Sequence, residues 1–563
     1  MKKLLFFIAL AFSAANVSAQ NVPLNFPLIQ DYMRRLQVIG EIDSELTFHY
    51  RPVDLHAALP DFETMYGLAS SDSIRLTLSL VNAGKNDRFE ISLLPLQLNT
   101  VYNSSYPYTG GNGPMVPARG PQTLLSGGMH VRFGRLSMQV LPQFQWAQNL
   151  PFEEYPENAP LSYFQLMNRG LFGLESPVRH GRNPITRILP GNSHLKLDLN
   201  HIAIGLSTEN IWWGPSQYNA LLLGDNAQGF THFTIHSQKP LKTPIGNFEG
   251  QYFVGMLEGL NIPHFSDGAF DNVIRTKEEE DWRYFTGISI SYSPKWLPGL
   301  SLGVGRTFQI YRNDMQDTFR AYFPLFVPLY KEGEGIEENV ELREDQNINL
   351  FSRWVIPGAK FEMYMEYIRN DHEVNARYLL LNPEHSRGFT LGFAKYVRLP
   401  DDSQLEIKSE YNRTQISINN IIRWPGAPNN GLGLYDNYQV RHGLTHRGQI
   451  LGPGTGTSGN FFKVEINKVH HLDKVGITFE RYGRERNFYQ YALTSGESVK
   501  PWTDLTMGIN YEKKINQFLI STVLRGTASL NYNFYAETPT NDPFSEGRTR
   551  YNLNNVTKVA YLF

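Results

Sequence analysis

The chain has 563 residues, with 52 Lys and Arg against 54 Asp and Glu, so its formal charge is −2. That balance excludes a broad basic footprint for nucleic acid, and 41% hydrophobic with 13% aromatic residues exclude a disordered chain. There is no cysteine, which excludes disulfides, thiolate metal sites, cysteine nucleophiles, iron–sulfur clusters and an acylated lipoprotein anchor.

Residues 1–19 read as a secretory signal. Lys2 and Lys3 form the positive start, residues 4–15 the apolar stretch, and Val17-Ser18-Ala19 a cleavage site before Gln20. At about 12 apolar residues the stretch is short for a membrane span. No later run reaches the roughly 18 apolar residues that a spanning helix needs. Two classes remain, an exported soluble protein and an outer-membrane β-barrel.

Residues 29–39 place Tyr32, Leu36 and Ile39 at helical spacing, with Gly40 as a stop. Residues 54–68 read as broken helix. We therefore expect residues 20–80 to form a helical periplasmic or plug region leading into a barrel over 81–563. Residues 147–190 mix Pro, Asn and Gly with a short helical piece at 162–168, so a helical or irregular insertion is expected there.

Further on, alternation of period two takes over. Leu300, Leu302, Val304, Phe308 and Ile310 share one face, with Arg306 as an intrusion, and Ser301, Gly303, Gly305, Thr307 and Gln309 share the other. Phe361, Met363, Met365 and Tyr367 oppose Glu362, Tyr364 and Glu366. Similar alternation runs through 389–399, 405–412, 346–356, 462–467, 475–480, 505–511 and 518–524. Residues 331–345 hold seven acids and read as a solvated outer loop. Aromatics near strand ends (Tyr284, Phe285, Trp296, Tyr322, Phe323, Trp354, Trp424 and Trp502) fit an interfacial girdle. Val559 to Phe563 resemble the terminal strand that barrel-assembly machinery reads. These features favour a barrel over a soluble sandwich. At roughly 24 residues per strand the count is about 18, within about 16 to 20. The expected fold is all-β: a transmembrane antiparallel barrel, with a small helical element before it or inside it.

One block is distinctive: Ser207-Thr208-Glu209-Asn210-Ile211-Trp212-Trp213-Gly214-Pro215, then Asn219, Leu221-Leu222-Leu223, Asp225-Asn226-Ala227, Gly229-Phe230 and His232. It resembles the signature of the capsule-assembly Wzi-type outer-membrane proteins, in the form found in Bacteroidetes-like bacteria. Weaker matches follow in order, among them Tyr106-Pro107-Tyr108, Arg353-Trp354-Val355-Ile356-Pro357 and His446-Arg447-Gly448-Gln449. Gly224-Asp225 departs from the expected serine and asparagine. The resemblance implies an 18-stranded barrel in the outer membrane of a Gram-negative cell, with a helical bundle on the periplasmic side and a lumen closed by loops and plug. It implies a lectin-like, non-catalytic role: binding exported capsular or exopolysaccharide and helping to hold it at the surface. The partners expected are that polymer, outer-membrane lipid, the barrel-assembly machinery and polysaccharide-export proteins; the chain is expected to be a monomer.

Sugar recognition needs flat apolar rings beside planar hydrogen-bonding groups. Trp212 and Trp213 supply rings next to Glu209, Asn210, Asn226 and His232. The same Trp-Trp-Gly-Pro run can equally anchor a loop. A second group is expected in the lumen, where buried charges must be paired or wet: Arg353, Glu362, Tyr364 and Glu366, with Asp371, His372, His385 and Arg387 at the ends of the next strand-and-loop unit.

Catalysis and metal binding find no fixed geometry. Many carboxylate pairs could flank a sugar, so none is specific. His236-Ser237 and His385-Ser386 supply no triad geometry and no Gly-x-Ser-x-Gly occurs. The spacing of His442 and His446 carries no metal meaning on strands or loops. The glycine-rich 451–459 run lacks a phosphate-loop ending. No catalytic residue, metal or cofactor is expected. A diffusion channel or transporter is the alternative, and a barrel enzyme a distant third.

Overall fold

The structure is a computed structural model. It describes residues 28–42, 45–53, 78–83, 89–108, 110–111, 113–157, 159–170, 174–270, 280–324, 343–370, 376–419, 433–496, 499–534 and 547–562. The signal, the broken helix at 54–68, Trp424, Phe563 and most of the acidic loop lie outside these residues.

Most of the strands, rich in β-branched and aromatic residues, run about ten residues or more, the length a tilted strand needs to cross a bilayer. Among the described residues they make eighteen staves of one closed antiparallel barrel. In chain order the staves are β1 (Phe89–Asn103), β2 (Gly120–Phe133), β3 (Leu136–Val140 continued by Gln143–Ala147), β4 (Ile185–Leu189 continued by His194–Leu199), β5 (Ile202–Ser207) and β6 (His232–Ser237). They continue as β7 (Gly246–Leu257), β8 (Arg283–Pro294), β9 (Leu300–Tyr311), β10 (Asp345–Ile356), β11 (Phe361–Asn370) and β12 (Arg387–Arg398). The last six are β13 (Gln404–Arg413), β14 (Asn460–His470), β15 (Asp473–Gly483), β16 (Thr503–Ile515), β17 (Phe518–Leu530) and β18 (Arg550–Tyr561). The wall closes where β18 pairs with β1, from Asn554 opposite Asn103 to Tyr561 opposite Leu96. A further strand, Leu78–Ala83, pairs with the start of β1.

Closure leaves no open sheet edge, which hydrocarbon would not tolerate. One rim carries tight turns, such as those joining β2 to β3, β14 to β15 and β16 to β17; the other carries the long segments after β3, β9 and β13. Short turns mark the periplasmic rim and long loops the outer rim. The burial pattern is inverted relative to a soluble protein. Leu391, Phe393, Ile466, Ile477, Met507 and Ile509 face outward and are exposed, whereas Glu362, Glu366, Glu410 and Asn467 face the lumen and are buried.

The expected girdle is corrected at Phe285. Trp296 and Trp354 are exposed at the periplasmic rim. Phe285, however, is fully buried and packs inside the barrel, because neighbours along a strand face opposite ways and Tyr284 takes the outward position. Trp502 lies at the outer rim with its indole N–H bonded to Asp504 and Ser529. Arg306 is accommodated by Gln346, which accepts its Nε at 3.0 Å, and by the Phe308 ring, 4.5 Å away.

The lumen is filled. Helix α1 (Leu28–Ile39) stands in the periplasmic mouth. Its apolar side, including Leu28, Ile29, Tyr32, Met33 and Leu36, packs on Leu472, Leu519, Ala560 and Leu562. Burying each such side chain stabilises by about 1.5–3 kcal/mol. Gly40 ends the helix at φ +80°, its N–H reaching the Gln37 carbonyl while the Glu41 N–H reaches Leu36. Above α1, the segment 208–231 between β5 and β6 turns inward. Trp212–Trp213 pair there with Tyr50–Arg51 in a short antiparallel ladder. Trp213, Leu221, Leu222, Leu223 and Phe230 then build an apolar core inside the barrel with Phe253, Phe285 and Tyr435.

Candidate functional site

Two places concentrate side chains that could recognise a ligand, the filled lumen and a cleft at the outer rim.

In the lumen, alternation along β11 sends Glu362, Tyr364 and Glu366 inward together. The Glu362 carboxylate receives Arg34 Nε of α1 at 3.0 Å, Arg353 Nε of β10 at 2.7 Å and the Gln217 amide at 2.9 Å. Arg34 also donates to the Pro215 carbonyl, and Arg353 to Gln37 and Thr47. Glu366 accepts the backbone N–H groups of Ser216 and Leu221, both at 2.9 Å. Glu410 of β13 accepts those of Gln217, Tyr218 and Asn219, at 2.9, 3.1 and 2.8 Å, and the Tyr364 hydroxyl at 2.9 Å. A buried turn has backbone donors that must be satisfied. Two wall carboxylates and the turn satisfy one another here. Gly214 is required at its position: φ is +108° and a Cβ would lie 2.3 Å from Glu366 Oε1.

The six expected sugar-binding residues sit in the same inserted segment or beside it, and each has an anchoring partner. Glu209 takes Lys196 Nζ at 2.6 Å and pairs with His194 at 3.0 Å. Asn210 donates to Asp225 and to the Ala227 carbonyl, Asn226 to the Ile450 carbonyl, and His232 contacts the Phe230 carbonyl at 2.8 Å. Trp213 donates its indole N–H to Gln251 and packs against Phe253 with no exposed ring. Trp212 lies under the Arg51 guanidinium, 4.7 Å from it, and lines a lumen cavity. The loop-anchoring alternative describes these contacts, and among the six rings and polar groups only Trp212 and the Glu209, Asn210 and His232 side chains border any cavity described below or the small one beside β6.

The expected network divides. Arg353, Glu362, Tyr364 and Glu366 come together. His385 and Arg387 sit at the outer rim instead, with Arg387 over the Phe389 ring at 5.3 Å. Asp371 and His372 lie outside the described residues. Glu410 and Arg34 completed the cluster unannounced. Glu410 lies on an alternating face the sequence displays, but nothing in its spacing points to residues 217–219.

The outer cleft was not foreseen. Five segments that leave the wall at the outer rim line a cavity of about 200 Å³. Trp502 meets Tyr532 at a ring-centroid distance of 5.0 Å and Phe534 at 5.7 Å; Tyr106 meets Tyr532 at 5.1 Å. Arg484 lies 4.9 Å over Trp502 and is held by Asp504 at 2.6 Å. Glu153, Glu154 and Glu485 add carboxylates. Glu153 pairs with Arg548 at 2.7 Å, and Glu154 accepts the Ser266 N–H at 2.7 Å. Burial lifts the Glu154 and Glu485 carboxyls above their ordinary range. Half-buried Trp502 and Phe152 give this cleft the ring faces that the lumen block lacks.

Comparison with known proteins gives one family and one fold. A family model described as capsule assembly protein Wzi matches residues 121–517. No curated protein matches the chain. Among solved structures the chain is similar to Wzi of Escherichia coli, described as an outer membrane protein involved in group 1 capsule assembly and a carbohydrate-binding β-barrel. The identity is 12%, the match covers 97% of this chain and 100% of that one, and the TM-score is 0.59, a likeness of fold. A weaker likeness, TM-score 0.39 at 9% identity, is to OccAB4 of Acinetobacter baumannii, covering 85% of this chain and 100% of that one.

Proposed function

The chain belongs to the capsule-assembly Wzi family, and from that premise we propose that it binds exported capsular or exopolysaccharide at the cell surface and helps to assemble and anchor it there. The polymer seats in the outer cleft. Its supporting observation is the group Tyr106, Trp502, Tyr532 and Phe534 at the long-loop rim, ringed by Arg484 and three glutamates. Rings of this kind stack on the C–H faces of sugars, while carboxylates and guanidinium groups bond hydroxyls. The work is binding and needs no chemical step.

On this reading the protein is an outer-membrane monomer. Residues 1–19 are a cleaved export signal, and α1 with residues 45–53 forms the plug. The barrel-assembly machinery inserts the wall, lipid surrounds it, and polysaccharide-export proteins deliver the polymer. A diffusion channel is the weaker reading, because α1 and the segment 208–231 occupy the lumen.

The test is to measure cell-bound against shed polysaccharide in a deletion strain, and to titrate the purified protein with the same polymer. Shedding with continued synthesis, together with binding that Trp502→Ala weakens, supports the proposal. Unchanged retention and no binding sink it, and single-channel conductance then decides for the channel.

A further inference from the structure

Between α1 and the outer loop at 108–111, the lumen holds a cavity of about 240 Å³ that adjoins the plug clamp, sharing Arg34 and Gln217 to Asn219 with it, and has no lining residue in common with the outer cleft. Its wall comes from β14 to β18, its floor from α1, and one side from Gln217 to Asn219. Six cationic and four acidic side chains line it. Most of the cations are matched. Arg34 meets Glu362, Lys463 meets Glu465 at 2.9 Å, Lys474 meets Glu512 at 3.2 Å, and Arg525 meets Glu480 at 3.5 Å.

Two cations are left over. Arg51 bonds only to the Phe48 and Ser216 carbonyls and rests on the Trp212 ring, with no carboxylate within 4.0 Å among the described residues. Lys558 of β18 has no hydrogen-bond or ion-pair partner among the described residues. Asp225 attracts Lys558, and Asp31 attracts both, from beyond ion-pair distance on the same lining; a buried cation with no direct partner is costly unless water or a ligand meets it. The same cavity is lined by the rings of Trp212, Tyr108 and Tyr218, the last two carrying Arg525 at 4.8 Å and Lys463 at 3.9 Å on one face each, and by the amide of Asn510. The indole N–H of Trp212, itself buried, has no acceptor among the described residues. A positive surplus, aromatic rings and amide groups in one cavity suit a sugar that carries an acid.

We propose that this lumen cavity binds one carboxylate-bearing sugar ring, with Lys558 and Arg51 taking the carboxylate and the rings facing the sugar. The site is separate from the outer cleft and does not depend on it.

The test is calorimetric titration of the full-length, detergent-purified protein with sodium glucuronate, using glucose and sodium acetate as controls. Glucuronate binds, and glucose and acetate each bind at least about tenfold more weakly, a difference of about 1.4 kcal/mol. Lys558→Gln weakens glucuronate at least about tenfold, and Lys558→Arg keeps it within about threefold. Trp502→Ala, which strikes the outer cleft, leaves it unchanged, so the two sites fail independently. Heat-modifiable gel mobility shows that each variant is a folded barrel. Equal binding of acetate overturns the sugar assignment. Equal binding of glucose overturns the charge assignment. No binding of glucuronate, or no effect of Lys558→Gln in a folded barrel, overturns the site.

Discussion

The periplasmic half of the lumen and the outer cleft are held by different physics. Around Glu362, Glu366 and Glu410 the contacts are charged, buried and short, and each carboxylate has at least two partners. Around Trp502 and Tyr532 the contacts are ring against ring, with space left between them. A clamp of the first kind fixes one position, because losing a partner strands a charge. An assembly of the second kind can admit a ligand, because its rings lose little when a sugar replaces water. The difference separates a region built to hold the plug in one place from a region with room for a ligand between its rings.

The contrast can be broken most severely at Glu362. Its replacement by Ala strands two buried guanidinium groups, Arg34 and Arg353, and should destabilise the plug by about 3–5 kcal/mol. Planar-bilayer recordings should then show conductance that the parent lacks. Glu410→Ala removes the acceptor of three backbone N–H groups, at about 1–3 kcal/mol for the polar groups it strands, and should expose residues 215–221 to amide hydrogen exchange. Gly214→Ala forces a side chain into a left-handed backbone against Glu366, costing about 1–3 kcal/mol, read as a lower melting temperature. Trp502→Ala should spare plug and conductance while weakening polymer binding about tenfold; a loss of conductance block instead would mean that the two regions are coupled. Asp401→Asn, at an exposed pair with Lys468 on the periplasmic rim, should leave melting and binding at parent values.

What the sequence revealed followed period. Staves β9 to β17 alternate cleanly, and their outward apolar faces are those the pattern announces. Residues 29–39 with Gly40 announce α1 through helical spacing and a glycine stop. The early wall was harder to read because its staves are interrupted. β3 breaks at Leu141-Pro142 and β4 at Pro190-Gly191, and the pairing of β1 with β2 shifts between Leu94 and Gln97. Each break resets the alternation, so no long run of period two exists there.

The candidate site was legible in part. The inward set Arg353, Glu362, Tyr364 and Glu366 lies on adjacent staves in near register, Arg353 opposite Tyr364, so alternation alone brings it together. The tryptophan block stood out by composition, but composition does not tell a ring that meets a ligand from one that meets Phe253. The outer cleft draws Tyr106, Tyr163, Trp502 and Tyr532 from four separate loops, with Arg484 at the far end of the loop that carries Trp502, and no local spacing records that meeting.

Helix α1 begins at Leu28 and rests on Leu519, Ala560 and Leu562. A helix that precedes the wall in sequence is thus seated on the last two staves of that wall. The seat does not exist until β17 and β18 have joined the wall, so the helix must wait, tethered, while the rest of the barrel is built. Local pairing of successive staves is quick by comparison with a contact across the whole chain. Seating of the plug is therefore an end-of-assembly event: a wall lacking its final stave keeps its helix but has no floor to receive it, and stands open where a finished one is sealed.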